Sequence, residues 1–495
     1  MNIRNIKRRL NRKNAGLTQE LPIKVIQFGE GNFLRAFVDY IIDKLNTDAN
    51  FNAGVAVVQP IEVGMVEMLN EQDGLYTLFM KGVKKGMEIQ EKRLISSIQK
   101  GINPYLDYNA YLELAKEEEL EFLISNTTEA GISFNENDTL NGYPHSSFPA
   151  KVTALLYERF KHFNGAANKG LCIIPCELID QNGDILKSII LRYAELWNLE
   201  EGFVKWIENS NSFHNTLVDR IVPGYPWDEI KEYQSQLEYE DRLIVTAEVF
   251  FLWVIEGDDK LKNKIPFDKI EDDVLIVDDI EPYRTRKVRI LNGAHTTMVP
   301  FSLLYGNETV KETIDNSFTG AYVEKAVFEE INATLDLSEE ELKYYSEEVF
   351  DRFRNPFIKH QLSSIALNSI SKFKVRVLPS LLTYQKKYDK LPLHLTFAFA
   401  CLIRFYKGEW NGESLSVQDD KAVLENLKEI WELHSYNEIA QQALQNTGFW
   451  DTDLTQIPEL QKQIALALEL IESNGIEKGF KDFVVRVEEF QQKNE

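Results

Sequence analysis

A chain of 495 residues exceeds what one hydrophobic core usually holds, so two domains are expected, three at most. With 44% hydrophobic and 27% charged residues, the balance is that of a globular protein and not of a disordered one. The 55 basic and 78 acidic side chains leave a net charge of −23, which argues against a nucleic-acid backbone or an anionic membrane as partner, while a local basic pocket for an anionic substrate stays open.

The first residues, MNIRNIKRRLNRKN, are basic but lack the apolar centre of a signal peptide, so a cytoplasmic protein is expected. IKVIQFG (23–29) is a short apolar, β-branched run, EGNF a turn, and LRAFVDYIIDKLN (34–46) has helical spacing. GVAVVQP (54–60) predicts a second buried strand. YNAYLELAKEEEL (108–120) predicts a helix that runs into the strand EFLISNTT (121–128). VTALLYERFKHF (152–163) predicts a helix, GLCIIPCE (170–177) a strand, and RLIVTAEVFFLWVIEG (242–257) strand material closing this half. Alternating strands and helices with continuously apolar strands describe an α/β, Rossmann-like parallel sheet covered on both faces. From about residue 284 the texture changes. Segments 308–334, 338–353, 379–388, 392–407, 419–446 and 457–474 favour helix, so the expected division is 1–283 and 284–495, the second part mainly α-helical. The apolar run VFFLWVI is far too short to span a bilayer. Cys172, Cys176 and Cys401 are too few for a disulfide framework; no CxxC pair or other metal-ligand spacing occurs, and no metal is expected.

Two segments carry candidate chemistry. Gly29 and Gly31 form a G-x-G turn after a strand and before a helix, where a side chain would hold a dinucleotide pyrophosphate away from the backbone amides. The third glycine of the usual fingerprint falls at Leu34, so the match is partial, and a purely structural turn remains open. The second strand ends Val58-Gln59-Pro60, without the acid that normally reads the ribose hydroxyls; Glu62 comes two residues later. NAD against NADP is therefore unsettled at that strand. The second segment, RKVRILNGAHTTMVP (286–300), carries Lys287, Asn292 and His295. On an α-helix His295 would lie about 80° and Asn292 about 140° around from Lys287, one broad face able to protonate and hydrogen-bond a developing alkoxide. The alternation of RTRKVRIL and the Asn-Gly pair equally describe a β-hairpin.

K-x4-N-x2-H at Lys287, Asn292 and His295 resembles the signature of the mannitol dehydrogenase-like, polyol-specific long-chain dehydrogenase/reductase family. GEGNFLRAF, VDRIVP (218–223), TTEAG (127–131), WVIE (253–256) and the series between Arg354 and Pro379 add to it, over roughly residues 22–480. The resemblance implies a dinucleotide-binding domain followed by a helical domain, with the active site between them. It also implies NAD(P)-dependent oxidoreduction without metal, Lys287 as acid/base, Asn292 holding the substrate oxygen and His295 beside them. Gly29, Gly31, Asn32, Phe33, Thr128 and Glu129 become the expected cofactor contacts. Asp219 would orient Lys287 or a substrate hydroxyl, or else pair with Arg220 or cap a turn; Glu248 would serve the site or be a satisfied buried carboxylate. Two positions depart from the polyol pattern. Leu178 stands where an asparagine would help hold the oxyanion, and Ser364 where polyol members place an arginine. With PCELIDQNG and SNTTEAGI, these departures point to a branch that reduces the ketone of a sugar acid, tagaturonate, to altronate with NADH. Lys372 matches a family lysine that contacts substrate, and Lys359, His360 and Arg376 are further cations for the carboxylate. Fructuronate reduction, mannitol or arabinitol 2-oxidation, and a catalytically silent nucleotide-binding regulator are the alternatives. A small-molecule substrate is the expected partner, with oligomeric state open.

Overall fold

The computed structural model describes residues 7–128, 130–270 and 273–492. They divide into two compact units: 7–81 with 89–280, and Gly82–Glu88 with 281–492.

The first unit is built on a six-stranded, wholly parallel sheet. Its strands are β1 (Ile23–Phe28), β2 (Gly54–Val58), β5 (Ile98–Ile102), β6 (Phe122–Ser125), β7 (Cys172–Pro175) and β8 (Ser212–Phe213), β3 (Tyr76–Lys84) and β4 (Met87–Ile95) lying between β2 and β5 in the chain. The spatial order is β5-β2-β1-β6-β7-β8. The order reverses between β1 and β6, so their carboxyl ends border the crevice where doubly wound sheets bind ligands. Residue alternation sends successive side chains to opposite faces. Val25, Val57, Ile124 and Ile174 join one core with helix α1 (Asn32–Asp48). Ile26, Val58, Leu123 and Ile173 join another with α2 (Phe148–His162) and α3 (Asn182–Leu196). Both faces are buried, which explains why the strands read as unbroken apolar runs.

The apolar run 242–257 is not one strand. It breaks into β10 (Val245–Glu248), parallel to β3, and β11 (Leu252–Glu256), which pairs antiparallel with β9 (Thr216–Asp219) and parallel with β12 (Asp273–Val277). Phe250 and Phe251 lie in the break, and Phe251 stacks on Phe37 of α1 at 4.2 Å.

Among the described residues from 281 onward, the second unit is helical apart from the two-residue strands Glu409–Trp410 and Glu413–Ser414. Helix α4 (Glu281–Lys287) continues through a π turn, Val288–Asn292, into α5 (Gly293–Tyr305). Helix α6 (Ser369–Arg376) packs on the π turn and on α5, while α7 (Leu393–Phe405), buried nearly all round, packs between α5 and α8 (Leu460–Gln492). A helix apolar on every side belongs in the middle of a core. Gly475, at φ 73°, breaks α8. Among the described residues no helix is long and apolar enough to cross a membrane.

Candidate active site

The glycine turn sits at the crevice of the first unit. The Gly29 N–H donates to Val58 O at 3.0 Å, and Asn126 N–H to Phe28 O at 3.1 Å, tying the turn to the ends of β2 and β6. Gly29 has φ 116°, and a Cβ on it would lie 2.9 Å from Asn126 O and 3.0 Å from Leu34 Cδ1, so only glycine fits. A Cβ on Gly31 meets nothing within 4 Å. Gly31 caps α1 without a side-chain hydrogen bond, and no acid occupies the first turn. The helix start is thus left to an outside acceptor, beside open space that a side chain would fill. This cradle fits a dinucleotide pyrophosphate.

The neighbouring side chains are braced by protein contacts. Asn32 Oδ1 accepts from Arg35 Nη2 at 2.7 Å, and Phe33 stacks on Phe37 at 4.8 Å. Thr128 is exposed and takes φ 88°, an unusual conformation for a β-branched residue. Glu129 lies outside the described residues. Two buried carboxylates at this end had no place among the expected site residues. Glu177 accepts from Ser125 Oγ, Thr127 N–H and Thr127 Oγ1, each at 3.0 Å, and burial pushes its carboxyl up against those donors. Glu30, between the two glycines, accepts from Met65 N–H at 3.3 Å and is likewise raised by burial. Neither stands out in the sequence: one is the unspecified residue of G-x-G, and the other follows an apolar strand. Leu178, the next residue after Glu177, is 64% exposed.

Asp219 belongs to this first unit, buried at the end of β9 opposite Leu252. Its neighbour Arg220 donates to Ala36 O at 2.5 Å and to Glu248 O at 3.0 and 2.9 Å. Glu248 accepts the Ile221 N–H at 2.5 Å, a buried carboxylate at a strand end.

In the second unit the hairpin reading of 286–293 gives way to a continuous helix. The i→i+5 bonding of a π turn sets residues five apart one above the other, whereas an α-helix would leave them about 140° out of phase. Asn292 therefore stands one turn beyond Lys287 on the same side, and His295, three residues on, continues the stripe. The His295 ring lies 4.7 Å from that of Phe353 and 5.0 Å from that of His360. Burial and the Arg352 charge hold His360 below the usual imidazole range. Lys372 and Arg376, four apart on α6, share one face. Lys372 donates to Ile365 O at 2.8 Å; burial and then Arg376 lower it, against Asp419. Arg376 is lowered by burial alone. A Cβ on Gly293 would lie 3.2 Å from Arg376 O, so this glycine lets α6 approach the π turn. Lys287, Asn292, His295, His360, Lys372 and Arg376 are thus gathered on packed elements of one unit, whereas Lys359 and Ser364 point to solvent-exposed surface. Among the described residues no three His, Cys, Asp or Glu side chains form a metal-binding group, and all three cysteines are free and buried.

Comparison with known proteins finds two family domains along the chain. The mannitol dehydrogenase Rossmann domain matches residues 23–269, and the mannitol dehydrogenase C-terminal domain matches 279–472. An altronate oxidoreductase of Yersinia enterocolitica is 49% identical over 92% of this chain and 95% of its own length. One of Escherichia coli is 49% identical over 96% and 99%. Among solved structures, substrate-free D-sorbitol dehydrogenase has the same fold (TM-score 0.77, 21% identity, 95% of this chain and 100% of that one). So does Pseudomonas fluorescens mannitol 2-dehydrogenase in its ternary complex with NAD and D-mannitol (TM-score 0.61, 22% identity, 96% and 99%). The chain belongs to the mannitol dehydrogenase family and is an oxidoreductase acting on a CH–OH group.

Proposed function

We propose that the protein interconverts tagaturonate and altronate with NAD(H), using a lysine as acid/base and no metal. The observation that carries this reading is 49% identity, over nearly the whole of both chains, to altronate oxidoreductases. Among site residues we assign Gly29, Gly31 and the start of α1, with Asn32, Phe33 and Thr128, to holding the cofactor, and we assign Glu129 with them from the sequence alone. When bound, NAD supplies the two-electron acceptor or donor for the substrate carbon.

The chain's own residues supply the rest. In reduction, negative charge develops on the ketone oxygen, and Lys287 gives it a proton; in oxidation Lys287 takes that proton back. Asn292, one turn along the same stripe, donates a hydrogen bond to the oxygen as the charge grows, and His295 flanks both. Leu178 cannot add a second amide there. Asp219, buried at the end of β9, serves a substrate hydroxyl. The substrate carboxylate is held by cations of the second unit, with Lys372 and Arg376 best suited because they share a half-buried face, and His360 and Lys359 as further contacts.

The test is loss of NADH absorbance with tagaturonate, fructuronate and fructose as parallel substrates. Fast turnover of tagaturonate alone is the expected result. Faster fructuronate turnover would move the protein to the epimeric uronate, fructose turnover would make it a polyol enzyme, and silence on all three would leave a nucleotide-binding regulator.

A further inference from the structure

The end of β2 offers no acid to read a ribose, and the structure shows what occupies that place. Gln59 is buried, and its amide is turned back into the following loop, donating to Ile61 O at 2.9 Å and Glu62 O at 3.0 Å. Glu62 itself is exposed. Into the space between this loop and the glycine turn comes the carboxylate of Glu30, 7% exposed and bonded to Met65 N–H. Gly64 makes the room: a Cβ there would collide with the Glu30 carboxylate and the Gln59 amide. The donors to Glu30 among the described residues are N–H groups, and no ion pair engages its carboxylate. A carboxylate is therefore held between the ends of β1 and β2, where dinucleotide folds normally station the acid of the second strand, but it is supplied by the glycine turn.

We propose that Glu30 replaces the missing strand-end acid, accepting the adenosine ribose hydroxyls of NAD and repelling the 2′-phosphate of NADP. The inference rests on the NAD-dependent reading above. A ribose offers two hydroxyl donors to a carboxylate, whereas a 2′-phosphate removes one donor and brings like charge into a partly desolvated site. Binding one nucleotide while rejecting the other then comes from a repulsive element as much as from an attractive one.

The experiment is direct binding of NADH and NADPH to the substrate-free protein, by calorimetry or nicotinamide fluorescence. The wild-type protein should prefer NADH by at least ~10-fold, and Glu30→Gln should lower that ratio by at least ~10-fold, chiefly through tighter NADPH binding. Glu30→Asp, which keeps the charge, should keep the preference. If Glu30→Gln weakens both nucleotides alike, Glu30 only braces the loop and the inference falls. If the wild-type protein binds NADPH as well as NADH, it falls too. If it binds neither, the NAD-dependent reading fails first. Should the variants not fold, the wild-type protein alone decides: ADP should bind at least ~10-fold tighter than adenosine 2′,5′-diphosphate, and equal binding overturns the proposal.

Discussion

The proposed cofactor cradle and the proposed acid/base stripe are built in opposite ways. At the crevice of the parallel sheet the candidate surface is backbone and empty space. A Cβ on Gly29 would strike Asn126 O, one on Gly31 would enter open space, and one on Gly64 would collide with Glu30. On the helical unit the candidate surface is side chains, a stripe of Lys287, Asn292 and His295. The first region should fail when atoms are added and the second when they are removed.

The contrast can be broken most directly at Lys287. Lys287→Ala should cost at least ~100-fold in kcat with tagaturonate while NADH affinity stays within a few-fold. A variant that kept its turnover would remove the lysine from the mechanism.

Asp39 sharpens the same contrast from below the glycine turn. Its carboxyl is fully buried on α1, bonded to Gln27 Nε2 at 3.1 Å, and burial pushes it up to about 7. A folded-state value above the unfolded one contributes stability that is full below about 4 and is lost as pH rises through about 7. Thermal unfolding of the first unit should therefore shift to lower temperature between those pH values. Asp39→Asn should flatten that slope, gaining up to a few kcal/mol above neutrality. An unchanged slope would mean that other groups set it.

Adding atoms is the complementary perturbation. Gly29→Ala should destabilise the protein by about 1–3 kcal/mol and weaken NADH binding, because the strained φ and the contact with Asn126 O act together. Calorimetric unfolding and nucleotide titration measure the two effects separately. The smallest expected effect is at Arg376. Arg376→Gln should raise KM for tagaturonate by roughly 10-fold with little change in kcat, since a carboxylate contact remote from the reacting carbon is uniform binding. An unchanged KM would shift the carboxylate to Lys372, His360 or Lys359.

How far the sequence discloses this arrangement depends on what each signal measures. The strand–glycine–helix opening is legible because β1 and α1 have different apolar periods and only a glycine turn joins them so tightly. The parallel strands are legible because two buried faces leave unbroken apolar runs. The run 242–257 is likewise legible as strand material, but its break is not: apolarity reports burial, not continuity, and Phe250 and Phe251 are buried in the break. RTRKVRILNG reads as a hairpin from local signals, but Ile290, Leu291, Ala294 and Met298 are buried against the surrounding helices, and that packing overrides the Asn-Gly signal. Glu30 is invisible to any pattern, since its position follows from which loop Gly64 lets close over it.

The π turn and its extra residue form a matched pair. A π turn holds one residue more than an α turn, so deleting a single residue such as Arg289 would let 281–305 close into an ordinary α-helix of almost the same length and composition. After the deletion Asn292 would stand four and His295 seven residues beyond Lys287, about 40° and 20° from it around an α-helix, so the stripe would survive. An α turn with every residue kept would instead carry Asn292 about 140° and His295 about 80° away from Lys287. The wider turn and the residue it absorbs thus offset each other, and lysine, asparagine and histidine scatter around the helix only when the turn is tightened and the residue stays.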